Sequence, residues 1–263
     1  MKNTRKRRIR SRRMRGGQLH IPICIYSHSD TFDVLEIQMY YLNKLFKNTT
    51  QKIYLFTNVP YNKPTELKYE QVLYDDKLHY NRRLVSCIEK VKELVFILSH
   101  ESDVLIQYDR QLIEKIVDKM KEHKVDSVEL IHMPAYNNTE IPIADGLYMF
   151  GKEKYDFTFN VQPRIWNRES AIEIFSKPQP KNYVSSENQE VQNFVRGNQK
   201  TCMLHSLSPI KTNHFNVTKA YVTLHLTKTG KFMPLAKGDE DPMIKKEHAY
   251  MYNTWIKSSS RGK

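Results

Sequence analysis

Glu101 and Asp103 stand two residues apart in "VFILSHESDVLI", residues 95–106, where one apolar run ends and another begins. Two carboxylates at i, i+2 just past a strand can converge on one hard cation. A divalent ion held there would bridge the two phosphates of a nucleoside diphosphate, neutralising it on binding and as a leaving group. The same pair also suits a solvated loop with a helix-capping acid. "YSHSD", residues 26–30, supplies Ser27, His28 and Asp30 after an earlier apolar run. Asp30 could accept from a base N–H or a ribose hydroxyl, or cap the helix that follows. "HYNRRLVSCIEKV", residues 79–91, brings Tyr80, Arg82 and Arg83 to a helix start, where side-chain cations and backbone N–H groups together favour a phosphate. Farther on, "FTFNVQPRIWNRESAIEIFSKP" and "SSENQEVQNFV" hold Gln162, Trp166, Glu187 and Glu190. A carboxylate there could deprotonate an attacking hydroxyl, although Glu187 and Glu190, three residues apart in a first helical turn, are also favoured by the helix dipole.

The elements that must position these residues alternate along the chain. An apolar run "IPICIYS" leads into "DTFDVLEIQMYYLNKLFK", where Phe32, Leu35, Met39, Leu42 and Phe46 recur at helical spacing. Asp30 and Asp33 fall where an N-cap and a capping-box acid belong. A second run "KIYLFTN" completes a βαβ unit. Strand "YEQVLY", helix "YNRRLVSCIEKV", strand "ELVFILS", helix "RQLIEKIVDKMKEHK" and strand "DSVELIHM" follow. Five strands with intervening helices predict an α/β fold, a doubly wound, mostly parallel sheet in residues 18–134 within a single main domain. Ligands of such sheets bind at the carboxyl ends of the strands, where Ser27, Asp30, Glu101 and Asp103 fall. Turn formers predict loops over 136–146, 176–186 and 235–242, and "MIKKEHAYMYNTWIK" reads as a closing helix in which Tyr250 and Trp255 pack.

The 263-residue chain carries a net charge of +13, but residues 1–17, "MKNTRKRRIRSRRMRGG", hold nine of the 42 basic residues and no acid, leaving +4 for the remainder. A segment so charged and so poor in apolar residues cannot offset its ordering entropy, so a disordered basic tail is expected, with a polyanion such as nucleic acid as its partner. Acidic lipid, nuclear import and simple solubility are its other readings. Cys24, Cys87 and Cys202 are widely spaced in largely apolar surroundings, which predicts reduced core thiols. With no apolar run of about 18 residues and no secretory h-region, the expectation is a protein without a transmembrane segment in a reducing compartment. The sequons at Asn48, Asn137 and Asn216 are then chance matches.

Taken in order, "YSHSDTFDVLEIQMYYL" with "KIYLFTN", "RRLVSCIEKVKELVFILSHESDVLI", "FNVQPRIWNRESAIEIF" and "TKTGKFMP" resemble the nucleotide-sugar glycosyltransferases of GT-A type, especially small members from large DNA viruses and bacteria. The resemblance covers most of residues 20–235. It implies a Rossmann-like sheet with a nucleotide-sugar half, 18–134, and an acceptor half, 135–263. Glu101-Ser102-Asp103 is then the E-x-D version of the family's metal-holding D-x-D, with Mn²⁺ or Mg²⁺ on Glu101 and Asp103, and Asp30 on the nucleoside. Ser27, His28, Asn58, Arg82 and Arg83 join Asp103 on the donor side, Gln162 and Trp166 lie on the acceptor side, and Glu187 or Glu190 is the base. Glu in the first position also occurs in metal-independent relatives. The Arg-rich leader and the Asn, Lys, Ile and Tyr bias of the body resemble proteins of AT-rich giant viruses, which implies work in host cytoplasm or in the virion.

The reading that follows is a glycosyltransferase moving sugar from a nucleotide diphosphate donor to a hydroxyl acceptor on a protein or glycan. Its rival from another class is a non-catalytic nucleic-acid-associated virion protein with a degenerate fold, in which the tail is the working element. A nucleotidyltransferase-like enzyme, whose donor is a nucleoside triphosphate, needs the same paired carboxylates and metal.

Overall fold

The computed structural model describes residues 21–134, 140–152, 158–177, 187–228, 230–235, 241–257 and 259; the basic leader and most of the predicted loop at 176–186 lie outside them. In chain order the elements open with β1 (Ile23–Tyr26), α1 (Phe32–Phe46), β2 (Ile53–Thr57), β3 (Glu70–Leu73), α2 (Tyr80–Ile88), β4 (Val95–His100), β5 (Asp103–Tyr108), α3 (Arg110–Glu122) and β6 (Ser127–His132). They continue with β7 (Glu140–Ala144), β8 (Leu147–Gly151), β9 (Arg164–Asn167), α4 (Arg168–Phe175), α5 (Gln189–Asn198), β10 (Thr201–Ser206), β11 (Ile210–Lys211), β12 (Asn216–Val217), β13 (Tyr221–His225), β14 (Thr227–Lys228), β15 (Lys231–Phe232) and α6 (Pro242–Met251).

One mixed, mostly parallel sheet runs β3-β2-β1-β4-β9-β6-β10-β8-β7. Strands β3, β2, β1 and β4 are mutually parallel, and β10 is parallel to β6. Strand β9 enters antiparallel between β4 and β6, so the sheet joins residues from both sides of position 134. The five predicted strands are β1, β2, β3, β4 and β6, and the α/β, single-domain expectation matches this architecture.

Strand alternation explains the double winding. Ile23, Ile25, Ile53, Leu55 and Ile97 point to one face, against Leu35, Met39 and Leu42 of α1 and Ile113, Ile116 and Val117 of α3. Cys24, Tyr26, Tyr54, Phe56, Phe96 and Leu98 point to the other, against Leu84 and Ile88 of α2, Ile174 and Phe175 of α4 and Val191 of α5. Each fully buried aliphatic or aromatic side chain contributes about 1.5–3 kcal/mol, so both helical layers are held by a period-two pattern. Val34, Ile37 and Tyr41, on the outer side of α1, pack with β5, β13 and α6 in a third cluster. That layer brings the C-terminal part of the chain to the sheet's carboxyl edge.

Several local expectations change. Asp30 does not cap α1: His28 caps a short 3-10 turn, Ser29–Thr31, by accepting from the Asp30 N–H at 3.2 Å. Asp33 lies in the first turn of α1, whose N-cap Thr31 makes no side-chain cap bond. The run "DVLIQY", unassigned in the alternating pattern, is β5, which leaves the main sheet to pair with β13. The predicted loop 136–146 contains β7, which pairs antiparallel with β8 at the sheet edge. Cys24, Cys87 and Cys202 are all buried, with no disulfide among the described residues. No helix of the described residues is long and apolar enough to cross a membrane.

Candidate functional site

The carboxyl ends of β1 and β4 lie side by side, Tyr26 opposite His100, and the Glu101 N–H donates to the Tyr26 carbonyl at 3.2 Å. Here the chain turns through Glu101 and Ser102 into β5, and the Leu226 N–H fixes the turn by donating to the Ser102 carbonyl at 2.7 Å. The turn opens on a pocket of about 740 Å³, lined among others by Glu101, Ser102 and Asp103. This size is in the range of small-molecule sites.

Asp103 is only 4% exposed, and its Oδ1 accepts from His225 Nδ1 at 2.7 Å. Because a carboxylate only accepts, the contact places a proton on Nδ1. The pairing of β5 with β13 sets Asp103 opposite His225. Asn213 pins the same residue by donating to the His225 carbonyl at 2.6 Å and accepting from its N–H at 3.2 Å. The His214 ring stacks on His225 with centroids 4.8 Å apart. Burial works to lower the His225 pKa, but the Asp103 charge and hydrogen bond outweigh it, and the net shift is upward. His214 is shifted down, chiefly by burial. Thr227, Lys228 and Gly230, in the β14–β15 hairpin, complete this side of the pocket; Gly230 takes φ of +79°, which glycine adopts without a Cβ clash.

Aromatic side chains cluster at the ends of β1 and β4. Tyr26 stacks on Tyr74 with centroids 5.2 Å apart and meets Tyr80 and His100 edge-on. Tyr80 Oη and His100 Nε2 are hydrogen-bonded at 2.7 Å, and burial pushes the His100 pKa down. At the rim, His28 donates through Nε2 to Asp76 at 3.1 Å, since its Nδ1 accepts from Asp30 N–H. Arg83 pairs with the Asp76 carboxylate at 2.9 Å, and its Nε donates to the Leu78 carbonyl at 2.7 Å. The His28 hydrogen bond is the largest influence holding the Asp76 carboxyl below its usual range, with Arg83 adding to it.

The structure thus brings together His28, Asp30, Arg83, Glu101, Asp103 and Gln162 around one pocket. Asp30 is at the mouth with its side chain 86% exposed. Arg83 lines the pocket, but its guanidinium organises the loop 76–78. Other sequence candidates stand elsewhere. Ser27 is fully buried, with its Oγ 3.4 Å from Thr31 Oγ1, and Asn58 is one layer back, where its amide accepts from the Ser29 N–H at 2.8 Å. Arg82 is exposed and outside the pocket lining, as is Glu190. Trp166 is core, 2% exposed, packed against Phe159 and Phe175. Glu187 lies behind the pocket wall and accepts from the Val161 N–H at 2.8 Å. The sequence pattern does not single out Asp76, His214 or His225, and it assigns no role to His100 within "VFILSHESDVLI"; the one trace of His225 is its place just before "TKTGKFMP".

Glu101, in the turn, and Asp103, the first residue of β5, both line the pocket and are the carboxylates there that could hold a divalent cation. Among the described residues no group of three or more His, Cys, Asp and Glu side chains converges as a metal-ligand set.

No protein-family model matches the chain, and no curated protein matches it. Among solved structures it is similar to a UDP-glucose pyrophosphorylase complexed with UDP-glucose, at 10% identity over 71% of this chain and 90% of that one, with a TM-score of 0.43. It is also similar to S. aureus TarS 1–349 in complex with UDP-GlcNAc, at 11% identity over 92% of this chain and 68% of that one, TM-score 0.45. A third is the bifunctional IspDF from Campylobacter jejuni, at 10% identity over 72% of this chain and 50% of that one, TM-score 0.40. Likeness this distant assigns no activity to the chain.

Proposed function

We propose that the pocket binds a nucleotide-sugar donor and that the protein transfers the sugar to a hydroxyl acceptor. The observation that carries this reading is the placement of Glu101 and Asp103 at the carboxyl edge of the sheet, in a pocket that Tyr26 and Tyr80 also line. Tyr26 and Tyr80 offer apolar ring surface for a base, and the Asp30 carboxylate at the mouth can accept from a base N–H or a ribose hydroxyl. Glu101 and Asp103 would hold a divalent cation, Asp103 through the oxygen that does not accept from His225. When bound, such a cation supplies charge neutralisation for the diphosphate.

The proton of the acceptor hydroxyl falls to His225 in this reading. Its Nδ1–H is held by Asp103, which leaves Nε2 as the lone-pair nitrogen and fixes the ring in the pocket wall. Glu187 and Glu190, the carboxylates the sequence offers for that task, stand outside the lining. The test is donor turnover by the full chain, followed as release of free nucleoside diphosphate, in wild type, Glu101→Ala and His225→Ala. Loss of about 10²–10⁴-fold in His225→Ala supports the base assignment; unchanged turnover in both variants sinks the reading. The rival in which the basic leader binds nucleic acid concerns residues outside those described.

A further inference from the structure

The pocket wall formed by Val161 and Gln162 belongs to a connection between Thr158 and β9 that is held from behind at several points. Gln192 accepts from the Phe159 N–H at 2.8 Å and donates to the Phe159 carbonyl at 2.6 Å. Glu187 accepts from the Val161 N–H at 2.8 Å. The Asn160 amide donates to Glu129, which is fully buried and paired with Lys152 and with Arg164 at 3.0 Å. Next to these clamps Gln162 lines the pocket, and its Oε1 is buried with no hydrogen-bond partner. A buried amide oxygen without a donor is costly, and Gln162 belongs to the wall that a ligand would touch, so a ligand hydroxyl or N–H is the group that would satisfy it once the amide turns to meet it.

We infer that Gln162 recognises a hydroxyl or N–H of the bound ligand, and that Glu187 is the positioning residue that sets it there by holding the Val161 amide. The hydrogen-bonding assignment follows from the pocket alone; that the donor group belongs to a sugar or its acceptor rests on the function proposed above. Glu187 sits on the remote side of Val161 and is two residues before α5, whose N-cap Asn188 accepts from the Val191 N–H at 3.0 Å. The segment is therefore anchored to the start of a helix and transmits that anchor to the wall. Burial, reinforced by the nearby Glu129 charge, raises the Glu187 pKa, against the hydrogen bond from Val161, which lowers it.

A base and a positioning acceptor respond differently to the amide isostere. Glu187→Gln keeps an oxygen acceptor for the Val161 N–H and removes the proton-accepting carboxylate; Glu187→Ala removes both. Amide exchange by NMR on the full chain should show Val161 exchanging about tenfold faster in Glu187→Ala and near wild-type rate in Glu187→Gln. Should Glu187→Ala fail to fold, Glu187→Met takes its place. Unchanged exchange at Val161 in the Ala or Met variant overturns the positioning role whether or not any nucleotide sugar is turned over. In the donor-turnover assay, Glu187→Gln should stay within a few-fold of wild type, and Glu187→Ala and Gln162→Leu should raise KM more than they lower kcat. A loss of about 10³-fold in kcat for Glu187→Gln, with Val161 exchange unaltered, assigns the base to Glu187 and overturns the inference.

Discussion

Asp103 and His225, 122 residues apart in sequence, meet through a 2.7 Å hydrogen bond between Oδ1 and Nδ1 at the edge of the candidate site. The contact joins the start of β5 to the end of β13. It also sets a pH dependence. Because the folded imidazole pKa is raised, the stabilisation from the charged pair is fully present below about 6.5, the unfolded value, and is lost as pH rises through the folded one. A plot of melting temperature against pH should fall across that window in wild type and flatten in Asp103→Asn. An identical slope in the two proteins would show that the pair does not titrate as described.

Turnover should move the opposite way. His225 must be deprotonated at Nε2 to accept a proton, so kcat/KM should rise with pH along a limb above about 6.5. Replacing Asp103 by Asn removes the charge that raises the imidazole pKa, so the limb should shift to lower pH. A limb that stays in place in Asp103→Asn would contradict His225 as the base.

Glu101 and Asp103 should separate in their effect on stability. Asp103 is buried and holds His225, so Asp103→Ala should cost about 1–3 kcal/mol by urea unfolding. Glu101 is half-buried in a turn fixed by its own N–H donating to the Tyr26 carbonyl and by the Leu226 N–H, so Glu101→Ala should cost less than Asp103→Ala. Equal losses in the two would mean that Glu101 has a structural role as large as that of Asp103.

The buried cluster behind the wall makes a sharper stability prediction. Glu129 faces Lys152 and Arg164, all essentially inaccessible to solvent. Glu129→Ala leaves two buried cations without their carboxylate and should cost about 3–5 kcal/mol in urea unfolding. A loss below about 1 kcal/mol would show that water reaches the cluster.

Trp166 tests the division between core and site. Its ring fills the layer between the sheet and α4 beside Phe159 and Phe175. Trp166→Ala should therefore destabilise by about 3–5 kcal/mol, whereas Trp166→Phe should leave ligand affinity within a few-fold. An affinity loss in a stably folded Trp166→Phe protein would return this residue to the acceptor side.

Much of the fold was legible because local patterns carried it. Ile23, Cys24, Ile25 and Tyr26 alternate between the two faces, and Leu35, Met39 and Leu42 repeat at the helical period, so β1, α1 and their neighbours follow from spacing alone. The carboxyl-edge position of Glu101 and Asp103 followed from the same logic. What stayed hidden depends on distant pairing. β5 reads like a continuation of the β4 apolar run, and only its partner β13, more than 100 residues later, makes it a separate strand facing His225. Trp166 and Glu187 have residue types suited to a site, but strand β9 enters between β4 and β6 and turns one into the core, and a backbone contact to Val161 turns the other behind the wall. Asp76 and Arg83 illustrate a different limit: a cation at a helix start attracts a phosphate in principle, yet here a loop carboxylate and two carbonyl oxygens take it first.

Titration calorimetry shows whether the pocket bordered by Glu101 and Asp103 binds a nucleotide sugar. The full chain would be titrated with UDP-, GDP-, CMP- and dTDP-sugars, with and without Mn²⁺, and a binding sugar nucleotide at about 100 times its Kd should also add roughly 2.7 kcal/mol of stability. One nucleotide class should bind, strengthened by Mn²⁺ and weakened at least tenfold by Glu101→Ala. Heat of binding that is absent for every donor, or that survives Glu101→Ala and Asp103→Asn undiminished, would contradict it.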